Sequence, residues 1–165
     1  MTLQIGWRGE LVDVKGNLPV VGEKAPDFTL TADDLTEITL ADFVGQNLVL
    51  NIFPSIDTPT CATSTRRFNE ELASLDNTTV LCVSADLPFA QKRFCGSEGL
   101  ERVKTASTFR STFADDYGVR VLTGMRRGLT ARVVVVIDTG GVVRHVELVK
   151  EVSTEPDYQA ALAVL

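Results

Sequence analysis

The sequence predicts an α/β fold: a central mixed β-sheet flanked by helices, with an N-terminal β-hairpin. Three observations carry this. Residues 47–53 ("NLVLNIF"), 78–85 ("TTVLCVSA") and 131–138 ("ARVVVVID") are nearly unbroken apolar runs, as expected of strands covered on both faces. Between the first two, Phe68, Leu72 and Leu75 recur at helical spacing over residues 59–75. Strand, helix and strand then form a βαβ unit. The first residues alternate polar and apolar around Gly9, the pattern of a hairpin.

In chain order, "TLQIGWRGELVDVKG" gives the two hairpin strands. "LPVVGEKAPDFTLT" is an extended approach with Pro19 and Pro26, ending in a short strand at residues 28–30. "TEITLADF" supplies another short strand. Strand 47–53 turns through "PSIDTPTC" into helix 59–75. Strand 78–85 leads into "DLPFAQKRFCG", a short helix with Asp86 as cap, Pro88 in its first turn and Gly96 as its stop. "STFRSTFADDYG", residues 107–118, gives another short helix ended by Gly118. Strand 131–138 passes through "TGG" into an antiparallel partner at 142–149. "EPDYQAALAVL" closes the chain with a helix. No internal repeat or linker-like shift in composition interrupts residues 1–165, so one domain is expected. The terminal hairpin and helix complete a thioredoxin-like layer on the βαβ unit.

Composition removes several classes. The 165 residues suffice for a full core. Net charge is −6 and no Lys/Arg cluster is present, so the surface repels phosphate backbones and nucleic acid is not an expected partner. The longest aliphatic run, Val133 to Ile137, is too short to span a bilayer. "MTLQIGWRGE" lacks a basic region followed by an apolar one, so no signal peptide is read there. A cytoplasmic location is expected. Structural disulfides are rare there, and cysteines that pair do so transiently.

The chain has three cysteines. Thr58 suits an N-cap and Pro59 the first helical position, which places Cys61 in the first turn. Free backbone N–H groups and the positive end of the helix dipole favour a thiolate there. Asp57 opposes this unless it turns to solvent. Pro54 shapes the turn and leaves one fewer donor to satisfy. The Thr58 hydroxyl can accept a cap hydrogen bond and donate to sulfur or a bound oxygen. A plain capped helix with a buried cysteine is the alternative. Cys82, mid-strand, reads as a small hydrophobe. Cys95 falls at a helix end before "GSEG", where backbone frays. Arg132 opens an apolar strand, and a charge entering a core needs a partner. It either reaches solvent or sets its rigid cationic fork beside a thiolate. Arg110 is a second candidate cation, and His145 reads as structural. Phe53, Phe68, Phe89 and Phe94 flank the region in sequence and suggest an apolar pocket wall.

Pro54-x-x-x-Thr58-x-x-Cys61 resembles the P-x-x-x-[TS]-x-x-C signature of peroxiredoxins. "LNIFPSIDTPTCATSTRRFN", "VLCVSADLPFAQKRFCG" and "ARVVVVID" are similar to the bacterial thiol peroxidase branch, the atypical two-cysteine type. The resemblance covers nearly the whole chain. It implies a thioredoxin fold, a homodimer, and reduction of hydroperoxides with thioredoxin as reductant and without metal, haem or flavin. It makes Cys61 the peroxidatic cysteine, Cys95 the resolving one, and Thr58, Pro54 and Arg132 the pocket residues. It favours organic and lipid hydroperoxides over hydrogen peroxide. One stretch departs from the pattern: Thr123 to Arg127 stands where family members often carry a D-G-P turn. Two rival functions are weaker. A dithiol oxidoreductase places a second cysteine where Thr58 stands, and a structural metal module needs close ligand pairs that this chain lacks. A non-catalytic interaction domain is the third alternative.

Overall fold

Strands that are apolar on both sides belong in the middle of a covered sheet, and the three apolar runs lie there. In the computed structural model, residues 2–72, 75–100 and 102–165 are described. The chain runs β1 (Leu3–Trp7), β2 (Glu10–Val14), β3 (Thr29–Ala32), β4 (Glu37–Thr39), a 3₁₀ turn (Leu40–Phe43), β5 (Asn47–Ile52) and α1 (Pro59–Glu71). It continues through β6 (Thr78–Ser84), α2 (Pro88–Glu98), β7 (Val103–Ser107), α3 (Phe113–Asp116), β8 (Val133–Ile137), β9 (Val143–Leu148) and α4 (Tyr158–Leu162). A seven-stranded sheet has the order β4-β3-β7-β6-β5-β8-β9. β5 pairs parallel with β6 and antiparallel with β8, so the sheet is mixed and its fold thioredoxin-like.

Alternation along the central strands splits the core in two. Leu48, Leu50, Ile52, Val133 and Val135 face one side, where Ile5, Trp7, Val12 and Val14 of the hairpin and Phe113 of α3 cover them. Val49, Val80, Cys82, Val134 and Val136 face the other, under Cys61, Phe68 and Leu72 and under Tyr158 and Ala161 of α4. The hairpin docks through Gly6 N–H to the Lys150 carbonyl (2.7 Å) and Val152 N–H to the Gly6 carbonyl (3.0 Å). Its two-residue turn, Arg8 (φ 51°) and Gly9 (φ 85°), has both residues left-handed, as a type I′ turn requires. Among the described residues no helix is long and apolar enough to cross a membrane.

Three local expectations change. β7 interrupts the chain before the expected helix at 107–118, which shrinks to Phe113–Asp116. Asp86 does not cap α2: Leu87 holds the N-cap position, without a side-chain cap bond. Gly96 does not stop that helix either. α2 continues to Glu98 and ends on left-handed Gly99 (φ 65°), whose N–H bonds the Cys95 carbonyl. Cys95 therefore lies inside the last turn. A Cβ at Gly118 (φ 69°) would come within 2.6 Å of Asn17 backbone, so glycine is required there on both counts.

Candidate active site

β5 ends at Ile52, at the carboxyl end of a central strand, and α1 begins seven residues later. Thr58 is the N-cap in extended conformation (φ −93°, ψ 146°), and Pro59 starts the helix. Cys61 occupies the third helical position, as expected. The Thr58 hydroxyl departs from expectation. It makes no cap bond and no bond to sulfur, because it donates to the Ser55 carbonyl at 3.0 Å and closes the 55–58 turn.

Cys61 is fully buried, and its Sγ accepts a hydrogen bond from Arg132 Nη2 at 3.2 Å. Arg132, only 1% exposed, turns inward rather than to solvent. Its Nε donates to the Val152 carbonyl at 2.9 Å, which fixes the fork. Its Nη1 is buried and has no hydrogen-bond partner among the described residues. An unmatched buried cationic donor is costly, and here it belongs to a residue lining a cavity of about 250 Å³ that Pro54 and Thr58 also line. The site thus holds, beside the cavity, a buried cationic donor with no partner among the described residues.

The surrounding polar groups brace this arrangement. Ser64 Oγ and Thr65 Oγ1 both donate to the Cys61 carbonyl at 2.9 Å. Asn51 Nδ2 reaches Ser64 Oγ at 3.4 Å. Ahead of α1, the Asp86 carboxylate accepts from Ser55 Oγ, Ile56 N–H and Ser84 Oγ, each at 2.7 Å. Asp57 is exposed and faces Arg93 at 3.6 Å, so its charge is directed away from the helix mouth. None of Asn51, Ser55, Ser64, Thr65 or Asp86 was expected at the site. Ser55 and Asp86 did carry a signal: polar residues just past the carboxyl ends of parallel strands are where α/β sheets build sites.

The remaining candidates separate. Arg110 bonds Thr31 Oγ1 and the Leu35 carbonyl and lies in another cleft with Asp27 and Asp116. Phe53 and Phe68 are core, Phe89 is exposed, and Phe94 packs under Arg66. The cavity's apolar wall is instead Trp7, Pro54, Leu129 and Val152. Cys82 is buried in β6, and desolvation pushes its thiol up to about 12. Cys95 lines a separate cavity of about 500 Å³ beside Asp33 and Lys104. Its thiol is pushed up to about 11, first by burial and then by the Asp33 charge. All three cysteines are free thiols.

Residues 20–162 match the Redoxin family. Over 98% of both chains, the sequence is 55% identical to a thiol peroxidase of Mycobacterium bovis. The chain belongs to the thiol peroxidases of the peroxiredoxin family. A thiol peroxidase of Corynebacterium glutamicum is 53% identical over 96% of both chains. Among solved structures, a peroxiredoxin-like protein from Aquifex aeolicus superposes with a TM-score of 0.92 at 37% identity, covering 98% of this chain and 95% of that one. A Chromobacterium violaceum thiol peroxidase shares the fold with a TM-score of 0.88 at 23% identity, covering 98% and 94%. As a thiol peroxidase, the protein reduces a peroxide at the expense of a thiol.

Proposed function

We propose that this thiol peroxidase reduces organic hydroperoxides through Cys61, resolves the product with Cys95, and is recharged by thioredoxin. The observation that carries the reading is the Arg132 fork: one nitrogen 3.2 Å from the Cys61 sulfur and the other buried without a partner. The Cys61 thiolate attacks the terminal oxygen of R–O–OH. The O–O bond breaks, sulfur keeps the OH as a sulfenic acid, and the departing alkoxide takes a proton to leave as the alcohol. Arg132 donates to the sulfur through Nη2 and offers Nη1 to the charge that builds on oxygen. The Thr58 hydroxyl spends its proton on the Ser55 carbonyl, so its oxygen is free to accept from the peroxide O–H. Pro54 walls the pocket and keeps one backbone donor out of it.

Cys95 then condenses with the sulfenic acid, forming the disulfide and releasing water. The dithiol of thioredoxin exchanges with that disulfide, restoring both thiols and becoming oxidised itself. Cys95 is protonated at neutral pH in its folded surroundings, which suits a thiol held back until its segment opens. Apolar walls at Trp7, Leu129 and Val152 favour an organic R group over hydrogen peroxide. A homodimer in the cytoplasm completes the reading, where a dithiol donor is maintained and a transient disulfide is normal for such an enzyme. The test is peroxide consumption with thioredoxin and its reductase. Cys61→Ser abolishes turnover; Cys95→Ser permits one turnover and blocks cycling. Full cycling by Cys95→Ser would refute the pairing.

A further inference from the structure

We infer that the cavity lined by Pro54, Thr58 and Arg132 selects hydroperoxides bearing a carboxylate, with Arg8 and Arg126 as the anion-binding rim. This rests on the peroxidase reading of that cavity and names its substrate class. The chain carries net charge −6. Yet among the described residues lining the cavity three are arginines, Arg8, Arg126 and Arg132, and none is Asp or Glu. A cluster of one sign in a walled cleft focuses potential on the opposite charge.

The three cations differ in depth and in use. Arg132 is buried against sulfur. Arg126 is half-buried, its guanidinium stacked over Trp7 at 4.9 Å from the ring centre. Its side chain donates no hydrogen bond among the described residues, and its acidic neighbour, Glu10, is 4.0 Å away. Arg8 is exposed, and its guanidinium has no ion pair or hydrogen bond among the described residues. Only its backbone N–H is engaged, by Glu151 at 3.1 Å. Both rim guanidinium groups therefore have donors to spare for a ligand.

One local rule is broken to put a cation there. Arg8 sits left-handed at φ 51°, in a turn type that favours Asn, Asp or Gly. Unfavourable backbone of this kind gathers at functional positions. Trp7, Leu129 and Val152 add apolar walls to the same cavity. The arrangement matches a ligand with its O–OH at the sulfur, a short apolar body, and a carboxylate at the mouth. A neutral hydroperoxide fills the same walls without the ion pairs.

The test compares 4-hydroperoxy-4-methylpentanoate with its methyl ester, and both with hydrogen peroxide, by rate of Cys61 oxidation. Each exposed ion pair contributes about threefold, so two give an acid-to-ester ratio of about tenfold at low salt. The ratio should fall toward one in the R8Q/R126Q variant and in 1 M salt, where exposed pairs are screened. It should persist in R126K, which keeps the charge. Equal rates for acid and ester overturn the proposal, as does a ratio that the double variant leaves unchanged. Failure of all three peroxides to oxidise Cys61 overturns the peroxidase reading itself, and the proposal with it.

Discussion

Replacing Arg132 by Met removes the one side-chain donor to the Cys61 sulfur among the described residues, Nη2 at 3.2 Å. Methionine keeps the apolar stem as far as about the position of Nε, but neither charge nor donors. A hydrogen bond to a charged group is worth about 1.5–3 kcal/mol, and that term is lost to the thiolate, so attack on peroxide should slow by about 10-fold to 150-fold. Stability should fall as well. The buried Val152 carbonyl loses its donor from Nε, at a cost of about 1–3 kcal/mol. Arg132→Lys, with charge but no fork, should fall between the two. The single tryptophan, Trp7, lines the cavity, so stopped-flow fluorescence under excess hydroperoxide reports the step directly. Alkylation of Cys61 by iodoacetamide at neutral pH should slow in parallel. A cooperatively folded Arg132→Met protein that is oxidised within threefold of wild type would refute the assignment of sulfur activation to this residue.

Thr58→Val should slow peroxide attack by ~10²-fold, the scale of one lost transition-state contact, whereas Thr58→Ser should retain most activity in the same assay. Cys82→Ser should leave peroxidase turnover nearly intact, and a folded but inactive variant would show that the wrong cysteine pair had been chosen. Cys82 also makes stability fall at high pH. Its folded thiol is pushed up to about 12 from an ordinary value of about 9, so its contribution is fully present below pH 9 and is lost as pH climbs toward 12. The slope is about 1.4 kcal/mol per pH unit for one proton. Urea unfolding between pH 8 and 10.5 should therefore be steeper in pH for wild type than for Cys82→Ala. Oxidation to the disulfide should lower hydrogen-exchange protection around Thr58 to Cys61 and Phe89 to Gly96 while sparing β8; unchanged protection at both segments would mean that the reduced fold already holds the sulfurs in range.

What was legible in the sequence is what local chemistry decides. Val133 to Ile137 can hardly be anything but a covered strand, and Thr58-Pro59 can begin a helix whatever surrounds it. β7 was not legible, because Lys104 and Thr105 break its apolar pattern and its place between β3 and β6 comes from pairing alone. Asp86 looked like a helix cap since it precedes Leu87-Pro88. Its real partners, Ser55 and Ile56, lie about thirty residues earlier. The phenylalanines near Cys61 in sequence went to the core or the surface, and Trp7 and Val152, distant in sequence, walled the cavity instead. Arg132 could have gone outward or inward, and only its meeting with Cys61, 71 residues away, decides.

Asp86 has a consequence for how the two cysteine segments can move. The residue stands at the entrance to α2, which carries Cys95, yet its carboxylate takes two of its three hydrogen bonds from the turn that leads into α1 and Cys61. Farther along, Arg66 of α1 grips Glu98 of α2 through two contacts, at 2.8 and 3.2 Å. Unwinding either entrance strips bonds from the other, so the second opening is easier than the first. Coupling of this kind would depopulate states with one sulfur released and the other fixed. On the proposed pairing of Cys61 with Cys95, it would leave little time in which a sulfenic acid is uncovered without its resolving thiol. That interval is when a second peroxide would carry sulfur on to the irreversible sulfinic acid, so on that reading the shared carboxylate would also guard against suicide oxidation.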